Sequence, residues 1–433
     1  MTIWNPDIEC ASRDEIEALQ LKRVQETVER CYTKVSWYKD KFDAIGLKPS
    51  DIKSLKDIQK IPFTDKTALR DTFPYGMFAV DIDEIVRLHA SSGTTGKPIV
   101  VGYTQHDLDN WTECISRIAS AAGVDKQDRA QMAFLYGMFT GGWGLHYGLE
   151  NIGAMVIPAG AGNTEQHIQM MIDYGTTVLI STPSYALYLA EKMDELGVKD
   201  QVNLRVGLFG GEKLSEALKR EVEDKLGIVA TSNYGLTEVM GPGVSGECLE
   251  DGTLMHINED YFYVEIIDPE TEEVLEPGEE GELVITTLAK EAFPVLRFRT
   301  HDITRLHYDA CACGRTSIRM EQVQHRTDDM LVIRGVNIFP SQFESVLAKY
   351  EAASPQWKIV VRREKGMDYT ELHLEINPHN FEDSMARMEQ FRRDLEEDLH
   401  KTLHIRIKVL LVEPGSLKRT QGKSKRVEYL RSY

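Results

Sequence analysis

The segment Ser91-Ser92-Gly93-Thr94-Thr95-Gly96-Lys97-Pro98 packs small residues, hydroxyls and one ammonium into eight positions. Small side chains let a ligand approach the backbone, and glycines allow turns that a Cβ forbids. Hydroxyls and exposed N–H groups donate to phosphate oxygens, and Lys97 adds positive charge. The octet is not a Walker A loop, which needs a glycine separated by four residues from Gly-Lys and then Ser or Thr. Here Ser91 and Pro98 stand at those positions, and a polar hairpin is the plainer alternative. Asn233-Tyr234-Gly235-Leu236-Thr237-Glu238 offers an aromatic face, a hydroxyl and a carboxylate. These suit base stacking, a phosphate contact and a magnesium ligand respectively. Arg297-Phe298-Arg299-Thr300-His301-Asp302 puts a carboxylate after an alternating strand, where it can accept from ribose hydroxyls, and Arg419-Thr420-Gln421-Gly422-Lys423 is a basic, glycine-containing loop. Taken singly, each reads more readily as structure than as chemistry: a core tyrosine, a surface ion pair, a solvated tail.

Two other clusters carry chemistry. Cys248, His256, Cys311 and Cys313 supply three thiols and an imidazole, the donors of a closed tetrahedral Cys3His structural zinc site. Their spacing is not that of a standard finger, and reduced buried thiols are the alternative. Tyr136, Phe139, Trp143 and Tyr147 make an aromatic-rich stretch, read either as hydrophobic core or as a slot for a flat aryl acid.

These residues need a scaffold, and 433 residues suffice for two or three domains. The chain is 42% hydrophobic and 27% charged, an ordinary globular composition. Its net charge of −19 disfavours nucleic-acid backbones and anionic membranes, so any polyanion must be held by local donors. No apolar run is long enough to span a bilayer and no signal peptide opens the chain, so a reducing cytoplasm is expected. Asp14–Phe42 reads as one helix. Apolar runs at Ala154–Pro158, Thr177–Ile180 and Val206–Phe209 alternate with the helix-like segments Glu165–Tyr174 and Tyr185–Leu196. That alternation predicts βαβ units around a parallel sheet, with ligands beyond the carboxyl ends of the strands. Tyr261–Ile267 and Gly281–Thr287 read as strands of a β-rich region. A helix at Ser341–Tyr350, strands at Trp357–Arg362 and Thr370–Ile376, a helix at Phe381–Lys401 and an alternating strand from Ile405 to Val409 predict a small α+β domain. The expected architecture is α/β, with a large N-terminal domain (1–326) and a small C-terminal domain (327–433).

The four phosphate-type segments, in this order, resemble the acyl-adenylate-forming superfamily of acyl-CoA ligases. Within it the chain is similar to phenylacetate–CoA ligases almost end to end. Leu135–Gly142, Gly160–Thr164, Phe209–Lys213, Tyr234–Glu238, Arg297–Asp302, Arg326–Met330 and Gly335–Pro340 carry the likeness. The arginine of the hinge motif follows His325, where the family usually has glycine. The resemblance implies attack of a carboxylate on the α-phosphate of ATP, giving acyl-AMP and pyrophosphate, then displacement of AMP by the thiol of coenzyme A. It implies a mobile C-terminal domain, Mg²⁺ as cofactor, a small carboxylic acid as substrate and a homodimer, and it suggests metal at the cysteine cluster. Ligation of another aryl or indolyl acetate, or transfer of the acyl group to a carrier-protein thiol, is the alternative.

Position by position, the resemblance assigns Ser92, Gly93, Thr94, Thr95, Gly96 and Lys97 to the β- and γ-phosphates. Gly211, Glu212, Tyr234 and Gly235 go to the adenine slot, Thr237 to the α-phosphate and Glu238 to Mg²⁺. Asp302 goes to the ribose and Arg326 to the nucleotide. Asp328 is the hinge, Gly335 lines the coenzyme A tunnel, and Tyr136 and Phe139 line the aryl pocket. Lys423 is the catalytic lysine, with Lys425 its rival in sequence.

Overall fold

The computed structural model describes residues 3–91, 98–160, 162–327, 331–333, 336–338, 340–350, 352–364, 367–376, 385–413, 416–417 and 427–430. Ser92, Gly93, Thr94, Thr95, Gly96, Lys97, Asp328, Gly335, Lys423 and Lys425 lie outside the described residues. The described residues fall into two compact units, one reaching residue 327 and the other starting at residue 331.

In the first unit, strands β1 (Arg87–Ala90) and β2 (Val100–Tyr103) form an antiparallel hairpin flanking residues 92–97 in sequence. Ser91 and Ile99 close it through two bonds, Ser91 N–H to the Ile99 carbonyl at 3.0 Å and Ile99 N–H to Ser91 Oγ at 3.1 Å. Next come β3 (Arg129–Met132), β4 (Met155–Ile157), β5 (Val178–Ser181), β6 (Val206–Phe209) and β7 (Val229–Leu236), alternating with helices Thr140–Asn151, Thr164–Tyr174, Pro183–Leu196 and Glu216–Leu226. Every pairing from β4 to β7 is parallel. Val178, Leu179 and Ile180 are all fully buried, as a strand covered on both faces requires. The strands then run antiparallel through β8 (Gly241–Glu247), β9 (Met255–Ile257), β10 (Phe262–Ile267), β11 (Glu280–Thr287), β12 (Phe298–His307), β13 (Arg319–Met320) and β14 (His325–Arg326).

Strand order is β10-β11-β12-β13-β9-β8-β7-β6-β5-β3-β4, with β14 on β12. The chain leaves β3 for β4 on one side and returns to β5 on the other. This reversal makes the carboxyl ends of β3 and β5 the crevice where open α/β sheets hold ligands. Strand β7 is shared: Val229–Ser232 pair in parallel with β6, and Asn233–Leu236 pair antiparallel with β8.

The second unit carries a hairpin of β15 (Leu331–Ile333) and β16 (Val336–Ile338), helix Pro340–Leu347, and a sheet of β17 (Ala353–Glu364), β18 (Met367–Ile376), β19 (Lys408–Val412) and β20 (Val427–Leu430) in the order β19-β18-β17-β20. Helix Met385–Leu403 packs Leu395, Leu399 and Leu403 into a core with Phe343, Trp357, Ile359 and Leu372.

Three local expectations change. The first helix is two, Arg13–Lys34 and Ser36–Ala44, because the buried Val35 takes extended backbone (φ −113°, ψ 107°). Asp302 lies inside β12 rather than after a strand. The last alternating run begins as a strand only at Lys408. His404 ends the preceding helix in the left-handed region (φ 57°), and Ile405 and Ile407 are buried as connector residues. Among the described residues no helix is long and apolar enough to cross a membrane.

Candidate functional site

The carboxyl ends of the parallel strands gather the first group. Gly210-Gly211-Glu212 follows β6, and Gly211 adopts φ +76°, which an L side chain resists. A Cβ there would sit in van der Waals contact with Thr182 past β5 and Phe134 past β3 (3.8 and 3.9 Å), so three strand ends meet at this glycine. Glu212 Oε2 accepts the Ser184 N–H at 3.3 Å, at the start of helix Pro183–Leu196. In β7, Asn233 Nδ2 donates to the Phe209 carbonyl at 2.8 Å and ties the two strand ends together. At Gly235 a Cβ would lie 2.0 Å from the Gly241 carbonyl oxygen, so the close approach of β8 itself demands glycine there.

Tyr234, Asp302 and Arg326 converge. The Tyr234 hydroxyl donates to Asp302 Oδ2 at 2.6 Å. The Arg326 guanidinium pairs with Asp302 Oδ1 and donates to the Thr300 carbonyl at 2.8 Å. Asp302 is buried, and burial together with its negative charge raises the Tyr234 hydroxyl well above its ordinary pKa. Thr237 and Glu238 are both buried, in the turn between β7 and β8, and the Thr237 hydroxyl meets that of Thr140 at 3.1 Å.

Tyr136 and Phe139 follow β3 at the reversal in strand order. The Tyr136 hydroxyl meets His146 Nδ1 at 2.9 Å, and His146 Nε2 lies 3.1 Å from Glu150. Tyr136 packs edge-on to Trp143, which stacks with Tyr147 beneath the Arg87 guanidinium (4.6 Å from the Tyr147 ring). Trp143 and Tyr147 are half-buried, so they are not hydrophobic core. Phe139 is 36% exposed and tilts against Phe134.

The model of the AMP-binding enzyme family matches residues 12–288, and that of the AMP-binding enzyme C-terminal domain matches residues 335–431. The chain belongs to the AMP-binding enzymes. Among curated relatives it is 46% identical to a phenylacetate–coenzyme A ligase of Aromatoleum evansii, over 97% of this chain and 96% of that one. It is 44% identical to the phenylacetate–coenzyme A ligase of Escherichia coli, over 98% and 97%. A solved 2-hydroxyisobutyryl-CoA ligase, in complex with 2-HIB-AMP and CoA, matches with a TM-score of 0.93 at 29% identity, covering 98% of this chain and 91% of that one.

This AMP-binding enzyme also brings its cysteine cluster together. The donor atoms of Cys248, His256, Cys311 and Cys313 all lie within 4.8 Å of one another. Cys248 and Cys311 sulfurs are 3.7 Å apart, and Cys313 Sγ is 3.3 Å from His256 Nε2. Ligands about 2.3 Å from a tetrahedral zinc stand about 3.8 Å from one another, so the set fits that ion. His256 Nδ1 meets Ser317 Oγ at 2.9 Å, which orients the ring.

Several neighbours of the site carry no motif. His89, in β1, is buried and holds the Met138 carbonyl at 3.1 Å through Nδ1. Lys290 is buried, and its ammonium is lowered to about 7 by burial, which Asp107 and Glu238 oppose. His146 had a legible signal, since 143, 146, 147 and 150 share one face of a helix.

Burial lowers the His89 imidazole to about 4, with the Met138 carbonyl opposing and the Arg87 and Lys290 charges reinforcing. An unfolded histidine titrates near 6.5, so below that pH the unfolded chain binds the extra proton. Stability carried by neutral His89 is therefore complete above about pH 6.5 and lost as pH falls toward 4. Denaturant unfolding at pH 7 and pH 5 should show the unaltered chain losing about 2 kcal/mol more than His89→Gln across that interval. Equal losses would remove His89 as the cause.

Proposed function

We propose that this chain joins phenylacetate to coenzyme A, consuming ATP through a phenylacetyl-adenylate and releasing AMP and pyrophosphate. The near end-to-end similarity to curated phenylacetate–coenzyme A ligases carries the reading. The first step brings a carboxylate against a triphosphate, so like charges must be offset and aligned. Ser92–Lys97 would hold the β- and γ-phosphates. Gly211, Glu212 and Tyr234 would border the adenine, and Asp302 would accept from the ribose hydroxyls while Arg326 steadies its carboxylate. Thr237 would donate to the α-phosphate. Glu238, a buried oxygen donor in the same turn, would ligate the Mg²⁺ that accompanies ATP, where the ion offsets phosphate charge. Tyr136 and Phe139 would face the phenyl ring, which edge and offset contacts favour. Lys423 would bridge the carboxylate and the α-phosphate, with Asp328 as the hinge and Gly335 lining the coenzyme A path.

Pyrophosphate–ATP exchange dependent on added phenylacetate should be present in the unaltered chain. In Lys423→Ala it should fall about 10²–10³-fold, the loss typical of one charged donor at a transition state. Thioester formation from supplied phenylacetyl-AMP should persist in that variant. Exchange with no carboxylate dependence would refute the reading, and equal loss of both half-reactions would refute the role of Lys423.

Cys248, His256, Cys311 and Cys313 would hold one structural zinc, with all four positions filled by protein and none open for catalysis. Metal analysis should find about one zinc per chain. Cys311→Ser should lose the metal and lower the unfolding temperature. No stoichiometric zinc, together with no change in melting on chelation, would end this assignment.

A further inference from the structure

The turn that carries Thr237 and Glu238 is held by three buried side chains from three separate places in the sequence. Lys290 Nζ donates to the Val239 carbonyl at 2.9 Å. The Tyr103 hydroxyl donates to the Met240 carbonyl at 2.6 Å. Trp111 Nε1 donates to the Pro242 carbonyl at 2.6 Å. The three donors are 3%, 0% and 2% exposed, so each bond is made away from water and each carbonyl would be costly to leave unpaired.

The donors also pack on one another. Tyr103 and Trp111 stack with centroids 5.1 Å apart and planes 15° apart. The Lys290 ammonium lies 4.6 Å from the centre of the Tyr103 ring, on its face. His89 sets its edge against both rings. Lys290 is itself fixed, because Asp107 accepts the N–H groups of Glu291 and Ala292 at 2.7 and 3.0 Å from the first turn of helix Gln105–Ala121. His89 and Tyr103 lie in β1 and β2, the two strands that flank residues 92–97. The same cluster therefore grips the hairpin and the β7–β8 turn.

A hydrophobic core alone would not need three donors aimed at carbonyls within the four residues Val239–Pro242, where the turn enters β8. We propose that Lys290, Tyr103 and Trp111 are positioning residues for adenylation, clamping the Val239–Pro242 backbone so that the Thr237 hydroxyl and the Glu238 carboxylate are held in fixed register with the β1–β2 hairpin. The inference rests on the roles of Thr237 and Glu238 proposed above. None of the three side chains is assigned a contact with substrate.

The test uses the full-length chain as Lys290→Met, Lys290→Arg and Tyr103→Phe. Phenylacetate-dependent pyrophosphate–ATP exchange is measured against Mg²⁺ concentration, and thioester formation from supplied phenylacetyl-AMP and coenzyme A is measured alongside. Loss of a group that orients a metal ligand lowers activity or metal affinity about 10–100-fold, so exchange in Lys290→Met should fall, or its Mg²⁺ half-saturation rise, by that factor. Thioester formation, which starts after the triphosphate and its Mg²⁺ have done their work, should fall less than exchange, and Lys290→Arg should recover part of the exchange. Exchange and thioester formation falling by the same factor would reduce the cluster to structural packing, and no change in either would overturn the clamp. If Lys290→Met does not fold, Tyr103→Phe, which removes one hydroxyl, decides by the same comparison. An unaltered chain without phenylacetate-dependent exchange refutes the proposed function instead. The Mg²⁺·ATP affinity of each variant by calorimetry, which requires no acid, then decides the clamp: weakening supports it, and unchanged affinity overturns it.

Discussion

Asp302 meets the Tyr234 hydroxyl with one carboxylate oxygen and the Arg326 guanidinium with the other. Those residues come from three strands: β7 at the centre of the sheet, β12 across it, and β14 paired to β12. A buried carboxylate is tolerated only when paired, and here the pairing joins the parallel and antiparallel halves of the fold. Removing either partner would leave charge buried beside an unfilled acceptor. Satisfying this one group brings side chains of three strands to a single point.

A second constraint is charge. The chain carries −19 overall, and its proposed reactants are anions too. Two like charges about 4 Å apart oppose each other by about 4 kcal/mol at an effective dielectric of 20, and a triphosphate multiplies the term. The sheet answers with local donors. Strand ends converge on Gly211, and the turn after β7 carries the buried Thr237 hydroxyl beside the buried Glu238 carboxylate, which would serve through the cation it holds. Fixed donors need no reorganisation as charge develops, which is why a clamped turn serves this chemistry better than a mobile one.

Much of this was legible in the sequence, for identifiable reasons. Strands β5 and β6 are buried on both faces, so they read as unbroken apolar runs between amphipathic helices. The soft donors Cys248, His256, Cys311 and Cys313 declared a common chemistry, although only the antiparallel pairing of β9 with β13 explains how residues so distant meet. The break at Val35 was not legible, because nothing in Lys34-Val35-Ser36 forbids a helix and the cause is tertiary burial. Lys290 was invisible for the opposite reason. In Ala289-Lys290-Glu291 a lysine looks like solvent-facing loop, and only the fold shows its stem against Tyr103 and its ammonium on a carbonyl. Tyr234 and Asp302 each sit in a legible motif, but their contact across 68 positions has no local signature.

In the proposed mechanism Asp302 is both the structural junction and the acceptor for the nucleotide's sugar. Calorimetric titration of ATP into the unaltered chain and into Asp302→Asn, with no acid present, addresses that directly. Hydrogen bonds to a charged group contribute about 1.5–3 kcal/mol, so the variant should bind ATP about 10–100-fold more weakly while remaining folded. A folded Asp302→Asn that binds ATP as tightly as the unaltered chain would contradict the account.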